Sequence, residues 1–341
     1  MEFVRKLPEI EELVSEYSLS SEQAEKRLLR ITEIQSILAG RDKRKIICVG
    51  PCSADREDAV LDYVERLATL QEKVKDKLLF IPRVYTSKPR PSGLGYKGLL
   101  HRPKASLTQD DLLDGVIAVR KMHLHVIQNT GLFCCDEMLY PEMIYYILDL
   151  LSYVTVGACS VEDQGHRLAA SGLDIPVGMK NPMNGDLSIL LNSIAAAKSP
   201  QSMIARGWEV RSAGNEYAHG ILRGYSDVNG EVISNYHRED IERLLSLNND
   251  FGIDNAAVLI DCNHCNSAKR YEQQIDIAKY VFSLCAQDDA LNDFVKGIML
   301  ESYIEDGCQK TDGGVYGRSI TDACLGWDKT VRLIDALANA L

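Results

Sequence analysis

The sequence predicts a closed parallel barrel, (β/α)8, preceded by a helical extension. Short apolar, β-branched runs alternate with longer amphipathic ones along the chain, the pattern of right-handed βαβ crossovers on a parallel sheet. About eight strand-like runs fall within 341 residues, the usual scale of a single (β/α)8 barrel. No G-x-G-x-x-G follows the first strand, so the alternative, a doubly wound open sheet, lacks its dinucleotide-binding turn.

Residues 1–44 read as the extension and residues 45–341 as the barrel. In the extension, "EELVSEYSLSSEQAEKRLLRITEIQSILAG" is helical, with Ser20 or Ser21 as N-cap and Gly40 as a stop. This segment is placed as a lid on the barrel or a subunit contact. "KIICVG" from Lys45 is the first buried strand, and "REDAVLDYVERLATLQEKVKD" is the helix after it. Further strands are read at Lys77–Tyr85, Gly131–Leu139, Tyr153–Ser160 and Ile175–Asn181. The sixth lies at either Ser202–Arg206 or His219–Gly224, which periodicity does not separate. Ala256–His264 and Val295–Ser302 complete the set. Helical stretches such as "PEMIYYILDLL" and "GDLSILLNSIAAAK" lie between strands.

Composition removes several function classes. A hydrophobic content of 45 % supports a large core, and a formal net charge of −11 lacks the basic footprint of a nucleic-acid binder. A local cationic pocket for a small anion remains open in an acidic chain. The N-terminus has no apolar signal core and no run is long enough to span a membrane. Ten cysteines without a regular framework, including the adjacent Cys134 and Cys135, fit a reducing compartment. A cytoplasmic protein is expected.

In a barrel, chemistry collects where strands end at the C-terminal face. Those positions offer Cys52, Arg83, Glu137, Cys159, Lys180, Arg223, His264 and Glu301. One group is cationic: Arg83, Lys88, Arg90 and Lys97 within "PRVYTSKPRPSGLGYKG", joined by Lys180 and Arg223. Singly, each is most often a solvated charge. Converging on one rim, they favour a substrate bearing phosphate or carboxylate, for which arginine supplies bidentate geometry. The other group is Cys52, His264, Glu301 and Asp322, a thiolate, an imidazole and two carboxylates able to hold a divalent transition metal. Each has a plainer reading alone: Cys52 as a small buried hydrophobe, His264 capping a carbonyl, Glu301 and Asp322 as surface or N-cap carboxylates. Sequence spacing does not unite them; the barrel must.

Eight blocks in order, "VGPCS", "RVYTSKPR", "GYKG", "PVGMKN", "GILRG", "IDCNHCNSAK", "GIMLES" and "YGRSITDACLGW", resemble the class I, metal-dependent 3-deoxy-D-arabino-heptulosonate 7-phosphate synthases from about Leu7 to the C-terminus. The resemblance implies condensation of phosphoenolpyruvate with erythrose 4-phosphate, opening the shikimate pathway. By the same resemblance, Cys52, His264, Glu301 and Asp322 ligate the metal, which is Mn, Fe, Co or Zn. Arg83 and Lys88 meet the phosphoenolpyruvate carboxylate and reacting carbon, and with His264 form the catalytic set. Lys180 and Arg223 clamp the donor phosphate, helped by the Ala158 backbone and by Glu137 through water. Arg90 serves the aldose phosphate, and Lys97 is a further lysine of that loop. A homodimer or homotetramer is implied, with no nucleic-acid or membrane partner.

Three departures from the family pattern bear on substrate choice. Cys159 stands where an arginine reaches the donor phosphate, and Arg206 or Arg167 is the candidate replacement. Pro91 stands where a threonine helps bind the acceptor phosphate, and the loop to "YKG" is one residue longer. The segment from Pro200 to Gly214 is shorter than the stretch that helps form an aromatic amino-acid inhibitor site, so feedback control by phenylalanine or tyrosine is not expected. Two further readings therefore stand beside the synthase: a paralogue using another aldose phosphate, and a non-catalytic barrel scaffold.

Overall fold

The structure, a computed structural model, describes residues 1–90, 93–104 and 109–341. Pro91, one of the three departures, lies outside the described residues. Eight parallel strands form the sheet: β1 (Lys45–Gly50), β2 (Leu78–Pro82), β3 (Cys135–Glu137), β4 (Tyr153–Val156), β5 (Val177–Lys180), β6 (His219–Leu222), β7 (Val258–Asp261) and β8 (Val295–Glu301). Their order is β2-β1-β8-β7-β6-β5-β4-β3. A parallel bridge between Arg83 and Cys135, with Val84 N donating to Cys135 O at 3.0 Å, joins the two ends into a barrel.

The open choice for the sixth strand falls to His219–Leu222, which is buried throughout. Gln201–Ala205 instead pairs antiparallel with Trp208–Ser212 in a surface hairpin. Both runs are short and strand-like, and only the barrel strand is covered on both faces.

Two helices precede the barrel, α1 (Ile10–Glu16) and α2 (Ser21–Leu38), broken between Tyr17 and Ser20. Ser20 caps α2 with a reciprocal box, its Oγ accepting from Gln23 N (3.2 Å) while Gln23 Oε1 accepts from Ser20 N (2.9 Å). The buried face of α2, Ile34, Ile37 and Leu38, packs with Ile46, Leu79, Tyr153, Ile221, Leu259 and Met299 inside the strands. The extension therefore plugs the N-terminal end of the barrel, leaving the C-terminal end for the site.

Around the sheet run α3 (Glu57–Val74), α4 (Leu112–Thr130), α5 (Pro141–Ile144), α6 (Gln164–Ser171), α7 (Leu187–Lys198), α8 (Arg238–Phe251), α9 (Gln274–Gln287), α10 (Asp289–Phe294) and α11 (Trp327–Ala340). The helical pattern of "PEMIYYILDLL" yields only the one-turn α5 and a 3-10 turn at Leu148–Leu150. Buried guanidinium groups take the carbonyls released by this interruption. Arg120 Nη1 donates to Tyr146 O (2.7 Å), and Arg27 donates to Leu148 O (2.8 Å) and Leu151 O (2.7 Å). Among the described residues no helix is long and apolar enough to cross a membrane, and all ten cysteines are free thiols.

Candidate active site and metal centre

The strands deliver their side chains to a cavity of about 470 Å3 at the C-terminal mouth. Close approach of neighbouring strand ends is built into the sequence. A Cβ on Gly50, where β1 ends, would lie 2.1 Å from Arg83 O, so only glycine lets the two chains meet here. Arg83 is then held almost wholly buried. Its Nη1 donates to Pro51 O (2.9 Å), its guanidinium lies 3.9 Å from the Tyr85 ring centroid, and it pairs with Glu301 at 2.9 Å.

Beside that pair lie the soft and hard donors. The ligand atoms of Cys52, Glu301 and Asp322 are all within 4.8 Å of one another. His264 joins from the turn after β7, its Nε2 3.6 Å from Glu301 Oε1 and its Nδ1 2.7 Å from Asp261 Oδ2. Asp261 thereby orients the ring and leaves Nε2 toward the donors, the arrangement of a histidine metal ligand. His264 has a left-handed backbone (φ 48°), uncommon for a side chain of its size, at the point where the ring must turn in. Glu301 Oε2 accepts from Asn263 Nδ2 at 2.5 Å, but buried Oε1 has no hydrogen bond despite the nearby guanidinium. An unsatisfied buried carboxylate oxygen, facing a thiol, an imidazole nitrogen and a second carboxylate, fits a divalent transition metal.

The electrostatics keep these carboxyls ionised. Burial alone would raise Glu301, but Arg83, His264 and Lys88 outweigh it and hold the acid below its ordinary range. Burial is likewise overcome at Asp322 by Lys88 and Lys269, and at Asp261 by the His264 ring, Lys180 and Arg83. Cys52 goes the other way: burial and then Glu301 push its thiol up, against the pull of Lys88.

Across the cavity, Lys180 at the end of β5 donates to Glu137 Oε2 at 2.6 Å, with its ammonium 5.2 Å from the Tyr85 ring centroid. Burial would raise Glu137, and Lys180, with Arg83 and Lys88, more than reverses it. A Cβ on Gly157 would sit 2.9 Å from Glu137 Oε1, so the glycine after β4 makes room for this acid. Arg223, just past β6, has no carboxylate partner among the described residues. Its Nη1 meets only Gly224 O (3.5 Å), Cys265 Sγ (3.5 Å) and Met183 Sδ (3.8 Å). A buried guanidinium so weakly engaged is a ready anion site.

A sequence model described as the DAHP synthetase I family matches residues 20–335. The chain belongs to that family. It is 36 % identical over 321 residues to phospho-2-dehydro-3-deoxyheptonate aldolase of Haemophilus influenzae, covering 91 % of this chain and 84 % of the relative. Over 316 residues it is 36 % identical to the Phe-sensitive phospho-2-dehydro-3-deoxyheptonate aldolase of Escherichia coli K12, covering 90 % and 87 %. The solved structure of phospho-2-dehydro-3-deoxyheptonate aldolase from Francisella tularensis SCHU S4 superposes with a TM-score of 0.92 at 29 % identity, covering 100 % of this chain and 98 % of that one.

Within this member of the DAHP synthetase I family, Arg83, Lys88, Arg90, Glu137, Ala158, Lys180, Arg223, His264 and Asp322 all line the one cavity. Cys52 and Glu301 do not line it but touch two residues that do, Asp322 and His264 respectively. Lys97 is placed differently. It turns away from the cavity, giving its ammonium to Asp110 Oδ2 (2.7 Å), an acid that His101 and Arg102 also engage. Neither arginine named as a replacement for the charge missing at Cys159 lines the cavity. Arg206, at the hairpin tip, pairs with Glu11, and Arg167 Nε donates to Val161 O. Cys159 itself does line it, with burial and Glu137 pushing its thiol up against Arg223 and Lys180.

Two functional positions had no role assigned from sequence, although both lie in "IDCNHCNSAK". Asp261 is the partner of His264, and Lys269 holds Asp322 Oδ1 at 3.0 Å. An acid three residues before a strand-end histidine was the available signal for the first; nothing in the sequence showed where Lys269 turns.

Proposed function

We infer that the chain condenses phosphoenolpyruvate with erythrose 4-phosphate and water, giving 3-deoxy-D-arabino-heptulosonate 7-phosphate and phosphate, the first step of the shikimate pathway. Membership of the DAHP synthetase I family supports the reaction. The observation that carries it into the site is the cavity whose far wall presents Lys180 and Arg223 while its near wall presents Arg83 and Lys88 beside the donor cluster.

Phosphoenolpyruvate has two anionic ends, and the cavity offers cations for both. Lys180 and Arg223 take the phosphate, with the Ala158 backbone beside it and Glu137 relayed through water. Arg83 and Lys88 meet the carboxylate and the reacting carbon, and Arg90 faces the acceptor's phosphate. Bound so, the methylene carbon adds to the aldehyde carbon, forming the new C–C bond. Water adds to the donor's second carbon, and phosphate then departs by C–O cleavage. A divalent metal held by Cys52, His264, Glu301 and Asp322 would polarise the acceptor carbonyl or the attacking water. Fixed cations in a site poor in water stabilise the charge that develops without having to reorganise. Thiolate and imidazole donors favour Mn, Fe, Co or Zn over magnesium or calcium. Exposed Ile204 and Trp208 on the hairpin, with Leu28 and Leu29 on α2, support a homodimer or homotetramer.

The test is phosphate release by metal-loaded protein with phosphoenolpyruvate and a panel of aldose phosphates. Release with erythrose 4-phosphate at a kcat/KM above that of every other acceptor is expected. A better rate with a different aldose phosphate would move the chain to the paralogue reading, which Pro91 and the longer loop at the acceptor end favour. No release with any acceptor would overturn both.

A further inference from the structure

Lys88 occupies the metal donor set. Its Nζ lies 2.9 Å from Cys52 Sγ and 3.2 Å from Asp322 Oδ2, while Asp322 Oδ2 is itself 3.5 Å from that sulfur. The same side chain lines the substrate cavity. A metal coordinated by Cys52 and Asp322 needs the lone pairs that now face an ammonium, and a dication beside that ammonium would be repelled. The two cations therefore exclude one another from these atoms. Lysine suits such exchange, being a compact charge on a flexible stem that can turn to another partner. Neighbouring cations are placed differently: Arg83 pairs with Glu301 through a rigid guanidinium, the exposed Lys269 holds only the other Asp322 oxygen, Oδ1, and Lys180 pairs with Glu137, outside the donor cluster.

We propose that Lys88 is a tethered counter-ion competing with the divalent metal for Cys52 and Asp322, and that it couples metal binding to donor binding. Resting on the function proposed above, the inference adds a linkage between the two ligands of that site. With the metal absent, Lys88 neutralises the donors and is withheld from phosphoenolpyruvate. Once metal is bound, Lys88 is released toward the cavity, where the donor's carboxylate is its natural partner. Phosphoenolpyruvate, in drawing Lys88 away, leaves the donors free for metal. Each ligand thus raises the other's affinity by the same factor, as linkage requires.

The test is calorimetric titration of Mn2+ into metal-free protein, with and without saturating phosphoenolpyruvate, in the native chain, Lys88→Met and Lys88→Gln. Co2+ titrations run in parallel, because the thiolate-to-cobalt absorption band reports Cys52 ligation directly. In the native chain phosphoenolpyruvate should tighten Mn2+ by about tenfold, within the usual range of coupling between sites. Both variants should bind Mn2+ about tenfold more tightly than the native chain when no phosphoenolpyruvate is present, and should lose the coupling. Weaker Mn2+ binding by both variants, or coupling that persists in them, would overturn the proposal while leaving the metal site and reaction intact. Failure of the native chain to bind Mn2+ or Co2+ would instead remove the metal site, and this proposal with it.

Discussion

The two ends of the barrel handle buried polar groups in opposite ways. At the floor, closed by α2, Tyr153 and His219 pair at 2.8 Å, His219 Nδ1 lies 2.8 Å from Tyr217 O, and Lys45 gives its ammonium to Asn292 O and Val295 O at 2.6 Å each. In these contacts the acceptors are neutral groups and backbone carbonyls, with no carboxylate. At the mouth, charges face charges: Arg83 with Glu301 and Lys180 with Glu137, both pairs buried, and the half-buried Lys88 with Asp322. Even so, among the described residues Glu301 Oε1 and Arg83 Nε lack hydrogen bonds, and Arg223 lacks a carboxylate. Replacing a buried ion pair with well-packed apolar residues is often neutral or stabilising, so such pairs are weak evidence of stabilisation. The floor is built to stay folded, and the mouth is built to accept anions and a metal.

The largest effect expected from this contrast comes from splitting a pair at the mouth. Glu301→Ala leaves the Arg83 guanidinium buried without its counter-charge and should cost about 3–5 kcal/mol in urea unfolding of metal-free protein. It should also abolish activity if Glu301 holds the metal as proposed. Replacing both, Arg83→Met with Glu301→Leu, should recover most of that stability and none of the activity. If the double variant is as unstable as the single one, the mouth pairs hold the fold and the contrast fails.

How far the sequence showed this division depends on the kind of residue. Strand ends were legible because β-branched runs stop at polar turns, which placed Cys52, Glu137, Lys180, Arg223, His264 and Glu301 at one face. Direction within a loop was not legible. Lys97 lies close in sequence to Lys88 and Arg90, yet Lys88 N donates to Lys97 O (2.9 Å) and the Lys97 side chain leaves toward Asp110. The surface hairpin and β6 could not be ranked either, since both are short apolar runs and only burial distinguishes them. Partners that act through another residue, such as Asp261 and Lys269, depend on a turn whose backbone is left-handed at His264, Ala268 and Lys269. Local propensity does not announce that geometry for non-glycine residues.

A smaller effect should appear at the floor and should depend on pH. Burial lowers the His219 pKa to about 4, from an ordinary value near 6.5. Between those values the unfolded chain binds a proton that the folded chain refuses, so stability rises with pH across that window. The contribution is fully present above about 6.5 and is lost as pH falls through 4, a change of about 3 kcal/mol. His219→Gln should flatten this acid limb in urea midpoints measured from pH 4 to 7. An unchanged pH dependence would mean that the acid sensitivity lies with groups other than His219, and the contrast would lose its support at the floor.

The smallest effect concerns Cys159, where the mouth carries a thiol in place of a charge. Cys159 lines the cavity where the family pattern carries an arginine, and neither Arg167 nor Arg206 reaches in to replace it. A charge-assisted contact to phosphate is worth about 1.5–3 kcal/mol, the lower figure being roughly tenfold in affinity. Cys159→Arg should therefore lower the KM for phosphoenolpyruvate by about tenfold at unchanged metal affinity, since Cys159 is not among the metal donors. Glu137 adds a second consequence: its carboxylate acts on position 159, so the new guanidinium can contend with Lys180 for it. Capture by Glu137 would turn the arginine from the phosphate and release Lys180, leaving KM unchanged or raised. Glu137→Gln in the Cys159→Arg background would then restore the tenfold gain, whereas no gain in either variant would show that Lys180, Arg223 and the Ala158 backbone already satisfy the donor phosphate.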